Sequence, residues 1–132
     1  MSRKLSVLAL LCSVWVARAE LPPSAYEALQ REAPDVFSIE VLDVQSCPGM
    51  EAGGRDIEVV AHIVEVKRSN SGTTAGSLIH ILFTLPRRPA GFVGPAPVPV
   101  PSRGERCPAY LRPLGKPGDF APAAGAMSFR DF

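Results

Sequence analysis

Apolar and polar positions alternate most clearly in the middle of this chain. Asp56 to Lys67 (DIEVVAHIVEVK) and Gly76 to Leu85 (GSLIHILFTL) are rich in β-branched residues. Gly53-Gly54, the turn cluster Ser69-Asn70-Ser71-Gly72 and Pro86 bound them, so they predict the two arms of a long β-hairpin. Phe37 to Val44 (FSIEVLDV) alternates as well. Phe37, Ile39, Val41 and Asp43 fall on one face, with Ser38, Glu40, Leu42 and Val44 on the other, which predicts a strand with one apolar face. Before it, Ser24 and Glu27 have capping-box spacing ahead of a short helix over Ala25 to Ala33. Pro34 ends that helix by disfavouring helical backbone at the residue before it.

Past Pro86 the pattern changes. Ten of the 14 prolines fall between Pro86 and Pro122, and Pro95, Pro97, Pro99 and Pro101 alternate with Ala96, Val98 and Val100. Each proline removes a ladder donor, so residues 86–105 read as an extended crossing over the surface and not as a central strand. Two short β candidates follow, Arg106 to Arg112 and Ala126 to Asp131, with loop between them from Gly115 to Gly125. About five uneven strands and one short N-terminal helix predict an all-β fold. The expected architecture is a small five-stranded OB-like barrel, a single domain over residues 20–132, with a compact β-sandwich as the alternative.

The N-terminal segment adds an address. Arg3 and Lys4 precede an apolar run from Leu5 to Val16, and Ala17-Arg18-Ala19 places small residues where a signal peptidase reads. Residues 1–19 are therefore expected to be a cleaved signal peptide, with a mature chain from Glu20 that is periplasmic or secreted. Cys12 lies inside the apolar run after Leu11, which is not the small residue that a lipoprotein signal places there. Fourteen basic residues nearly balance 13 acidic ones, and loss of Arg3, Lys4 and Arg18 with the leader leaves a slight acidic excess. That balance argues against a nucleic-acid partner, and no run in the mature chain has the length of a membrane span. Cys47 and Cys107 then form an even pair in an oxidising compartment. A disulfide between them would close a loop of about 60 residues, worth about 4 kcal/mol.

The central hairpin, Gly104 before the next strand, the Tyr110-Leu111 pair and Phe129 resemble the netrin-like, TIMP-type OB domains over Asp56 to Phe129. The resemblance implies an OB fold. Inhibitors of the TIMP type begin their mature chain with a cysteine that ligates the protease zinc. This chain would begin with Glu20, so that device does not carry over.

Candidate chemistry is sparse. His62 and His80 are the two histidines, one on each arm of the hairpin, and a residue-number sum of 142 across the ladder would set them face to face. Their neighbours Ala61, Ile63, Ile79 and Ile81 would then point the other way. Two imidazoles need a further ligand to hold copper or zinc, and Met50 or Glu65 would have to supply it. The chain has no G-x-S-x-G, no H-E-x-x-H and no glycine-rich phosphate loop. An enzyme is therefore not expected, nor a cofactor. The stiff segment from Phe92 to Pro101 offers the better binding feature, because it loses little entropy on docking. The expected function is a non-enzymatic binding or assembly module for an extracytoplasmic protein or glycan, met by Phe92, Val98, Val100 and Tyr110. The alternatives are a periplasmic copper- or zinc-binding protein using His62 and His80, and an inhibitor of an extracellular hydrolase.

Overall fold

A computed structural model of the protein describes residues 21–50, 52–87 and 96–131. The expected leader, Cys12 and Phe92 lie outside the described residues. Helix α1 spans Pro23–Glu32, followed by β1 (Asp35–Pro48), β2 (Arg55–Ser69), β3 (Leu78–Leu85), β4 (Arg106–Pro113) and β5 (Asp119–Pro122), and a 3₁₀ turn covers Gly125–Met127. The strands close into one barrel in the order β1-β2-β3-β5-β4. All neighbours are antiparallel except β3 and β5, which run parallel. This is the small OB-like barrel that the strand inventory predicts.

The closure depends on β1. It pairs with β2 along its length and with β4 from Asp35 to Glu40, and three register shifts against β2 coil it around the barrel. The shift between Val41 and Asp43 reverses the two faces over the rest of the strand. Val44 then lies opposite Val59 and packs against the core, while Asp43 turns outward opposite Val60. Simple alternation places those two residues the other way round. Inside the barrel, Ala61, Ile63, Ile79 and Ile81 are fully enclosed, as the hairpin pattern requires. Phe37 and Phe120 meet edge to face across the core at 5.7 Å.

The ends of the elements depart from expectation where proline and hydroxyl groups decide. The helix starts at Pro23, whose fixed φ and missing N–H suit the first turn, and no side chain caps it, so the Ser24–Glu27 capping box does not form. At the other end of α1, the Arg68 guanidinium donates to the carbonyls of Gln30 and Arg31, and Gln30 Nε2 donates to the carbonyls of Met127 and Arg130. The fifth strand is Asp119–Pro122, inside the stretch expected to be loop. Ala126 to Asp131 is not a strand. Ser128 Oγ accepts from the Ala124 amide and donates to the Gly125 carbonyl, which winds this segment into the 3₁₀ turn.

The described part of the crossing from β3 to β4 is extended and irregular. Val98 packs against the core and Pro101 is buried, so this stretch covers the barrel beside Phe129. Gly104, at φ +84°, makes the turn into β4 and donates its amide to the Val41 carbonyl.

The expected disulfide is absent, and both Cys47 and Cys107 are free thiols. Register explains why. Cys107 lies opposite Ile39 on β1, whereas Cys47 is eight residues farther along that strand, opposite Asp56. At about 3.3 Å per residue the two are over about 20 Å apart, far beyond the roughly 7 Å Cα limit for a bridge.

Candidate functional site

The two histidines point outward from β2 and β3, as their enclosed neighbours demand, but they do not face each other. The ladder sum is 140: His62 is opposite Leu78 and His80 is opposite Val60. The expected face-to-face pair is thus a diagonal pair, roughly 7 Å apart at the backbone. His80 turns instead to Glu58, with Nδ1 and Oε1 separated by 2.7 Å. Met50 sits fully exposed at the β1–β2 turn, away from both rings. Among the described residues no group of three or more His, Cys, Asp or Glu side chains is placed to hold a metal ion.

What β1, β2 and β3 do assemble on their outer face is a groove. One part, about 480 Å³, is bordered by Gln45 and Cys47 of β1, Asp56 and Glu58 of β2, and Leu82 and Thr84 of β3. A second part, about 390 Å³, takes in Glu58, His80 and Leu82 together with Lys116, Pro117 and Asp119. Glu58 and Leu82 belong to both, so the two parts are continuous. The groove runs from the β1–β2 turn to the β4–β5 loop. Its polar groups are already partly committed: Thr84 Oγ1 donates to Asp56 Oδ1 at 3.0 Å, and Glu58 holds His80. Alternation in the hairpin contains the signal for this face, since Asp56, Glu58, Val60 and His62 share one side of β2. Leu82 shares that face by the same alternation on β3, whereas the contributions of Lys116 and Asp119 appear only once β5 is placed next to β3.

The Glu58–His80 pair orients an imidazole, the relation that a general base needs. The thiol in the groove, Cys47, is two strands away and four ladder positions along, more than about 10 Å from that ring.

The other candidate residues lie elsewhere. Val98 is committed to the core, and Val100 is 38% exposed beside Phe129 and Arg130. Tyr110 projects from β4 into a different groove, of about 520 Å³, lined by Glu27, Arg31, Lys67 and Arg68. Its hydroxyl donates to Asp131. Burial, then the hydrogen bond and charge of Asp131, push the phenol up to about 12, while Arg68 pulls the other way. Burial, with the Glu105 charge behind it, pushes the Cys107 thiol up to about 11.

Neither a family model, a curated protein nor a solved structure matches the chain. Among the described residues no helix is long and apolar enough to cross a membrane.

Proposed function

We propose that this chain is an exported, non-enzymatic binding module whose ligand, a protein or a glycan, meets the outer face of β1, β2 and β3. The observation that carries the reading is the continuous groove between the β1–β2 turn and the β4–β5 loop. OB-type barrels use the equivalent face and loops for their ligands. Export is supported by the leader-like pattern from Arg3 to Ala19. The Pro-rich crossing has more of a covering role, because Val98 and Pro101 turn inward. Val100 and Tyr110 remain the competing contact points.

The test compares three proteins immobilised and exposed to cell-envelope extract and to an oligosaccharide array. Leu82→Asp should lose ligand capture that the unaltered protein and Val100→Asp both keep. The opposite result, with capture lost only in Val100→Asp, would move the binding site to the Pro-rich segment.

A further inference from the structure

The outer face of the β2–β3 hairpin carries more exposed apolar surface than a solvated sheet needs. Leu78 is 54% exposed and Val64 41%. Half-buried Val60 and Leu82 continue the same face, with His62 and His80 set between them. Strand alternation places all six side chains on one side of the ladder. From Val64 to Glu58 this stripe is six residues long, or roughly 20 Å.

Charge frames the stripe on both flanks. On the β1 side, Glu40 lies opposite His62 and Asp43 opposite Val60. On the β5 side, Asp119 lies opposite His80, and Glu58 closes one end. Among the described residues three cations are in reach: Arg106 is already bound to Glu40 at 2.8 Å, Lys67 borders the same surface as Val64, and Lys116 stands beside Asp119 in the loop. An apolar stripe with carboxylates along both edges complements a ligand of the reverse design, apolar in the middle and basic at the sides.

We infer that the β2–β3 face docks a cationic amphipathic peptide segment, its apolar side chains lying over Val64, Leu78 and Leu82 and its lysines or arginines meeting Glu40, Asp43, Glu58 and Asp119. This rests on the proposed binding role of the outer face and narrows its ligand to a protein. The stripe matches about 13 residues of helix at 1.5 Å per residue. Glu40 and Glu58 are already paired with Arg106 and His80, so the carboxylates act on the approaching ligand as a shared negative field, which makes the encounter faster at low salt and weaker as salt rises.

The experiment is an amide chemical-shift titration of the exported protein, uniformly labelled with nitrogen-15. Three 14-residue peptides are added: one of leucines and lysines in amphipathic order, one with the leucines replaced by serine, and one with the lysines replaced by glutamate. A neutral oligosaccharide is the fourth ligand. The leucine–lysine peptide should shift amides of residues 58–64 and 78–82 in a saturable way. Leu78→Lys and Val64→Lys, both at exposed positions that keep the amide spectrum dispersed, should each weaken it at least tenfold. The inference is overturned if the serine–lysine peptide binds as well, since charge alone would then suffice. It is equally overturned if the leucine–lysine shifts map off the hairpin. If the oligosaccharide shifts this face and the peptide does not, the binding role stands and the peptide ligand fails. If neither ligand shifts it and Leu82→Asp leaves capture intact, the binding role fails as well.

Discussion

Cys47 and Cys107 share a residue type and little else. The first is exposed at the far end of β1, and the second is 8% exposed at the start of β4. With its thiol raised from 9.0 to about 11, Cys107 holds roughly a hundredfold less thiolate than an ordinary cysteine at the same pH. Alkylation at pH 8 should therefore modify the exposed Cys47 far faster than the buried Cys107, read by peptide mass mapping of timed samples. Equal rates would contradict the burial of Cys107, and a disulfide-linked peptide pair would contradict the distance between the far end of β1 and the start of β4. Tyr110 gives a second chemical signature. Its phenol rises from 10.0 to about 12 on folding, so the folded state favours the neutral form. The stability this provides is fully present below pH 10 and is lost as pH climbs from 10 through 12. Denaturant midpoints measured from pH 8 to 12 should fall more steeply for the unaltered protein than for Tyr110→Phe. Parallel curves would mean that neither burial nor the Asp131 contact raises the phenol.

The elements were legible in the sequence to the degree that one periodicity ruled each of them. The β2–β3 hairpin follows strict alternation, and it appears at nearly the expected bounds with Ala61, Ile63, Ile79 and Ile81 enclosed. Its register was not legible, because a slip of two residues keeps every side chain on its face, and the metal reading of His62 and His80 depended on that slip. β1 was readable up to Val41, where the register shift reverses the faces and no glycine or proline marks the place. β5 escaped because four residues, one of them Pro122, contain too little alternation to register. Its partner is β3, almost forty positions back in the chain, so the groove that Asp119 and Lys116 help to form could not be assembled from local pattern. The start of β1 obeys the same logic. Asp35 is fully buried, and its Oδ1 accepts from Ser69 Oγ, Ser71 Oγ and the Ser71 amide, which fastens the turn after β2 to the first strand. In the sequence this appears only as an acidic residue next to Pro34, because its three donors lie more than thirty positions away.

Closure of the whole barrel depends on its shortest strand. β5 joins β3 through two parallel positions and β4 through three, so backbone pairing alone holds it weakly. The side chain that compensates is Phe120, 1% exposed and set edge to face against Phe37. A ring in that position removes a large apolar area from water and gains about 1 kcal/mol from its geometry. The disulfide expected between Cys47 and Cys107 is absent, so it does not back up that contact. Phe120→Ala should therefore cost about 3–5 kcal/mol, a large part of the stability of a domain this small. Phe120→Leu, which keeps most of the volume, should cost well under half as much. Urea unfolding followed by tyrosine fluorescence measures both. A loss below about 1 kcal/mol for the alanine variant would show that the barrel closes without its fifth strand. In that case the groove edge formed by Lys116 and Asp119 would not be a fixed part of the binding face. A full loss, with the leucine variant close to the unaltered protein, ties the shape of that groove edge to the apolar volume that one buried side chain fills.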